Sequence, residues 1–137
     1  MMQLYFLSIL LNILAGTALC AESLAGRFRA FARLGPLVAG RGFRTVVGVL
    51  AAGVGFLKLL VLSAPQDVPV VGDLLPALAG LAMGATLIVQ VLREKADVPK
   101  EAITRVEQIV LAYRVPLGLA GLAVAALHFL LPGALFL

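Results

Sequence analysis

The chain has 137 residues, of which 62% are hydrophobic and only 13% charged, with a mean hydropathy of +1.09. A soluble domain is about half apolar and about a quarter charged, so this composition excludes a water-soluble fold and implies a single integral membrane domain, 1–137. The net charge of +4 is not a nucleic-acid signal, because ten of the eleven Lys and Arg residues fall in two segments, 27–44 and 93–114, and the eleventh is Lys58.

Basic residues are retained on the cytoplasmic side of a membrane. The segments 22–44 and 93–114 are therefore expected in the cytoplasm, with both chain termini outside, in the inner or plasma membrane of a bacterium or archaeon. Cys20 is the only cysteine, so no internal disulfide can form. Its place in an apolar run suits a small buried hydrophobe.

The first apolar run is 3–21. No positive region precedes it, as a secretory signal would require, so it is read as the first membrane helix. Ser8, Asn12 and Gly16 recur at a spacing of four and form a small or polar stripe for contact with a neighbour. Asn12 is the most polar group in this run. Residues 22–35 change character. Leu24, Phe28, Phe31 and Leu34 share one face and Arg27, Arg29 and Arg33 lie elsewhere, which describes an amphipathic helix with its arginines on lipid phosphates. Gly35-Pro36 is expected to stop it, with Pro36 in the first turn of the next helix.

The second membrane helix is expected to reach Leu62. Arg44, Gly48, Ala51, Gly55 and Lys58 fall on one narrow helical stripe. Residues 63–73 read as a short outer loop, and Asp73 as the N-cap of a third helix with Pro76 just inside it. In that helix Pro76, Gly80 and Gly84 repeat at a spacing of four. The charged stretch after it is expected to start a new helix at Pro99, supported by a Glu101–Arg105 pair. Pro116 is expected to kink the junction with a fourth membrane helix, which ends at Leu131. There Arg114, Gly118, Gly121, Ala125 and His128 repeat the stripe of the second helix, so these two helices are expected to be the closest packed.

The fold expected is all-α, with four transmembrane helices in two pseudo-repeated hairpins, 1–64 and 73–137. Two helices per unit make both halves insert the same way round. The repeat is then parallel, with its axis along the membrane normal.

Lys58 and His128 recur at equivalent places in apolar runs. One reading is a snorkelling lysine and an interfacial histidine. The other is an intramembrane site, with Asn12, for an anion, a lipid headgroup or a proton. Arg44 and Arg114 read as inner-interface anchors that Glu22 and Gln90 can pair with. Gly16, Gly48, Gly55, Gly80, Gly84, Gly118 and Gly121 read as packing positions. No catalytic constellation is present, and one His with one Cys makes no metal cluster. The absence of an acidic residue from the apolar spans argues against a carboxylate-driven carrier.

At Arg44, Gly48, Gly55 and Lys58 the spacing resembles the helix signature of DoxX-like four-helix membrane proteins. Arg114, Gly118 and His128 resemble a degenerate copy of it. The resemblance implies a small membrane subunit associated with thiol or quinone redox chemistry, beside a partner protein, and so a quinone as cofactor; no other cofactor is evident.

Three classes of function follow. The first is a homo-oligomeric transport or channel protein. The second is a non-catalytic accessory or scaffold subunit whose basic face binds anionic lipid or a partner. The third is the redox subunit of the resemblance. A pore leaves its small and polar stripes lining a cavity, whereas a scaffold uses them up in packing.

Overall fold

The computed structural model describes residues 2–62, 74–96 and 104–131. It is helical, with no strand among the described residues. The helices are α1 (Met2–Ala25), α2 (Arg29–Val38), α3 (Arg41–Leu62), α4 (Leu74–Ala96), α5 (Arg105–Ala112) and α6 (Arg114–Leu130). Three of them, over Gln3–Ala25, Arg41–Leu60 and Leu74–Ala96, are long and apolar enough to cross a membrane, and α6 is a shorter apolar helix of 17 residues. Large apolar side chains such as Phe6, Leu10, Leu50, Phe56, Leu78 and Leu119 point outward. Such a surface is compatible with a bilayer.

The order of packing differs from expectation. The helices that carry the two matching stripes, α3 and α6, are not partners, for among the described residues no Cα of one lies within 8 Å of a Cα of the other. Instead α3 pairs antiparallel with α4, and α6 with α1, while α1 and α4 meet between the two pairs. The physical reason is that small residues are used on both sides of each seam. A Cβ placed on Gly84 would lie 2.6 Å from the carbonyl oxygen of Gly48, and one on Gly16 2.8 Å from that of Gly118. Backbones that close leave no room for a side chain from either helix. The core between the pairs is filled by Leu11, Ala15, Leu19, Val47, Ala51, Met83 and Leu87.

One local expectation is corrected, at the end of α2. The amphipathic α2 does not stop at Gly35-Pro36 but runs through Pro36 to Val38, and α3 begins only at Arg41. A proline crowds the residue before it, and Gly35 has no Cβ to be crowded. The Ala39 amide then closes the turn on the Gly35 carbonyl at 2.8 Å. The helix before α6 is α5, capped by Thr104, whose backbone is extended (φ −67, ψ 153). Its hydroxyl accepts from the Glu107 amide and the Glu107 carboxylate accepts from the Thr104 amide, a reciprocal capping box. The junction with α6 turns at Tyr113, and Pro116 sits in the first turn of α6, where its missing N–H has no helical partner to lose. The Asp73 cap, the 63–73 loop, Pro99 and the Glu101–Arg105 pair lie on residues outside those described.

Candidate functional site

Polar side chains gather at the two ends of the bundle. At one end Lys58, His128 and Asn12 are all buried, at 4%, 2% and 2% exposure. Lys58 and His128 therefore belong to the interior and do not snorkel along the lipid face. They stand on α3 and α6, whose backbones do not approach one another among the described residues. The Asn12 amide donates to the Pro76 carbonyl at 3.0 Å and ties α1 to α4. Its Oδ1 lies against Gly80, where a Cβ would come within 2.9 Å. Tyr5, not singled out in the sequence, closes this end. Its hydroxyl donates to the His128 carbonyl at 2.5 Å and its ring lies 4.6 Å from the imidazole, tilted by 50°. An aromatic with a polar tip near the end of a membrane span is the signal that points to it.

At the other end lies a cavity of about 230 Å³ lined by α1, α4 and α6, with Arg44 of α3, Leu111 of α5 and Ala39. Its polar lining is Glu22, Arg44, Gln90, Arg93, Glu94 and Arg114. Arg44 is held there because it opens the small stripe of α3, one turn before Gly48. It donates to Glu94 at 2.7 Å and to the side-chain Oε1 of Gln90 at 3.5 Å. Arg41, one turn back and mostly exposed, reaches the same carboxylate at 3.3 Å. On the opposite side Arg114 donates to Glu22 at 2.5 Å. The four residues read as inner anchors thus form two arginine contacts, Arg44 with Gln90 and Arg114 with Glu22. Arg93 and Glu94 complete the cluster. They lie on the same helix as Gln90, three and four residues on, and that spacing is the signal that places them on its face.

Among the described residues, Arg44 Nε, Gln90 Nε2 and an Arg93 guanidinium nitrogen are buried with no hydrogen-bond partner. All three are donors. Arg27, Arg29 and Arg33 take no part in this cluster and are exposed on and beside α2, as are Phe28, Leu34 and Leu37. The packing glycines Gly48, Gly55, Gly80, Gly84, Gly118, Gly121 and Gly16 are all buried between helices. Cys20 is wholly buried, its thiol directed at the Val115 carbonyl at 3.5 Å. No group of His, Cys, Asp and Glu among the described residues is arranged to hold a metal.

No curated protein and no solved structure matches this chain. A family model matches residues 1–128, nearly the whole length, and the chain belongs to that family, whose function is unknown.

Proposed function

We propose that this chain is a four-span membrane protein of accessory or scaffold type, which conducts nothing by itself. One observation carries the reading: the small-residue stripes that a pore would leave facing a channel are used up in helix contacts. Gly48 and Gly84 close one seam and Gly16 and Gly118 the other. Asn12, one of the buried polar groups that could line a path, is committed to the Pro76 carbonyl. A polar atom paired in this way adds interhelical stability of about 1 kcal/mol and offers nothing to a passing solute.

The 17 residues of α6 make about 26 Å of helix at 1.5 Å per residue. That is close to the roughly 30 Å hydrocarbon core and supports a fourth span. A parallel duplication is supported by the equivalence of contacts. A Cβ on Gly48 would meet Gly84, Leu87 and Ile88, and one on Gly118 would meet Gly16, Leu19 and Cys20. The first set maps onto the second by shifts of 70 along α3 to α6 and 68 along α4 to α1. The arginine clusters favour this end as cytoplasmic. With the exposed apolar face and arginines of α2, they make a surface suited to anionic lipid or a protein partner.

The test is reconstitution of the purified protein into liposomes loaded with pH-sensitive and chloride-sensitive dyes. Proteoliposomes no leakier than empty liposomes, with a partner protein recovered by crosslinking in native membranes, are expected. A protein-dependent flux abolished by Lys58→Leu or His128→Leu would return the chain to the transport class.

A further inference from the structure

The inner cavity has a donor surplus that the bundle itself does not use. Its two carboxylates are committed, Glu94 to Arg44 and Arg41, and Glu22 to Arg114. Arg93 makes no ion pair among the described residues, and one of its guanidinium nitrogens is buried without a partner. The equivalent positions Glu22 and Gln90 differ in a telling way. Where α1 offers a carboxylate, α4 offers an amide, 93% buried, whose Nε2 has no acceptor. The exchange removes a negative charge from the cavity and adds a donor. The lining then carries three arginines against two carboxylates.

A guanidinium nitrogen buried without a partner, on an arginine with no ion pair among the described residues, is costly to maintain. Water can accept from these donors but cannot neutralise the charge. A tetrahedral oxyanion can do both, since its oxygens only accept and charge-assisted bonds to arginine are among the strongest available. We infer that this cavity binds a phosphate-bearing anion, either the headgroup of an anionic phospholipid or free phosphate, held by Arg44, Gln90 and Arg93. About 230 Å³ accommodates the phosphate with part of its ester chain. The cavity lies at the end of the spans that the arginines place among cytoplasmic headgroups, where anionic lipid is concentrated. The lipid source rests on the orientation proposed above; the donor chemistry does not.

The experiment uses the full chain, delipidated in detergent. Native mass spectrometry follows titration with phosphatidylglycerol or phosphatidylcholine, and calorimetry follows titration with inorganic phosphate. Wild-type protein is expected to retain one phosphatidylglycerol and no phosphatidylcholine. Gln90→Glu, which copies Glu22 in shape, and Arg93→Ala, which breaks no ion pair among the described residues, are each expected to weaken retention about tenfold. Arg105→Ala, outside the cavity, is expected to leave it unchanged. If inorganic phosphate binds wild type and neither cavity variant, while no lipid discriminates among them, the site stands and its source is free phosphate. If neither probe separates wild type from variants that melt normally, the cavity holds only water and the inference is overturned. A flux in the liposome assay would leave each of these outcomes intact.

Discussion

Gly84 and Gly48 meet backbone to backbone, so closely that a Cβ on Gly84 would lie 2.6 Å from both the Gly48 carbonyl oxygen and the Ala52 amide nitrogen. Neither atom can move without moving a helix. Gly84→Ala is therefore expected to destabilise the bundle by about 1–3 kcal/mol, the usual cost of overpacking. Gly121 makes a useful contrast. Its added Cβ would meet the sulfur and terminal methyl of Met83, the flexible end of a side chain. Met83 can change rotamer, so Gly121→Ala is expected to cost clearly less than Gly84→Ala. Unfolding of both variants in mixed micelles with increasing dodecyl sulfate gives the order; equal losses would mean that the α3/α4 seam is not the tight one.

Gly53 and Gly55 test the facing of α3 within one turn. Nothing lies within 4 Å of a Cβ on Gly53, whereas one on Gly55 would meet the Ala77 carbonyl oxygen at 2.6 Å. Gly53→Ala is expected to be neutral or to stabilise by up to about 1 kcal/mol, through helix propensity alone. Gly55→Ala is expected to destabilise by about 1–3 kcal/mol. The same micelle titration measures both, and a Gly53→Ala variant that loses stability would place an unseen partner on that face.

The stripe containing Gly48 and Gly55 was legible in the sequence because small residues at steps of four and three have one structural use. Which stripe packs on which was not legible. Four helices carry small faces of the same period, so α3 matches α6 as well as it matches α4 on paper. Chain connectivity and the filling of the centre by Met83 and Leu87 decide between them. The extent of α2 is not legible from Pro36, because a proline ordinarily ends a helix and only the missing Cβ of Gly35 relieves the crowding. The capping box of α5 is spelled in the sequence by Thr104 and Glu107. At the arginine-rich end Arg44, Arg114, Glu22 and Gln90 were legible as residues at the end of a span, since charge beside an apolar run has few other places to go. Arg93 and Glu94 were missed, because a charged pair at the end of a span reads as solvated until a neighbouring helix covers it.

Arg44 and Arg41 share Glu94 but differ in setting, with side-chain exposures of 13% and 64%. An exposed ion pair contributes about 0.2–1 kcal/mol and is screened by salt. Arg41→Ala is expected to fall in that range and to vanish at high ionic strength. Arg44→Ala also strips a donor from the buried side-chain Oε1 of Gln90, and is expected to cost about 1–3 kcal/mol with little salt dependence. Melting of both variants at two salt concentrations separates the cases; equal, salt-sensitive losses would make Arg44 a surface residue.

Thr104→Ala removes the hydroxyl that caps α5, and with it one half of the capping box. The expected cost is about 1 kcal/mol, confined to a helix of eight residues. Hydrogen exchange is the suitable measurement, since the loss appears as faster exchange of the first amides of α5, the Glu107 amide included, with α3 and α4 unchanged. Uniform acceleration across the bundle would tie α5 into the cooperative core, against the short reach of a cap.

Cys20 offers a direct probe of the α1/α6 seam. It is completely buried, and a Cβ on Gly118 would come within 2.6 Å of its sulfur. A thiol reacts only as an accessible thiolate, so the folded protein is expected to resist maleimide for hours while the unfolded chain labels within about minutes. This contrast bears on function too, for a thiol sealed between helices cannot exchange with a partner's disulfide. Gly118→Ala is expected to raise the native labelling rate, because the added methyl must push Cys20 or part the seam. The rates are read by mass shift after timed quenching. Rapid labelling of wild type in the folded state would show the seam open, and would restore thiol exchange as chemistry available to this chain.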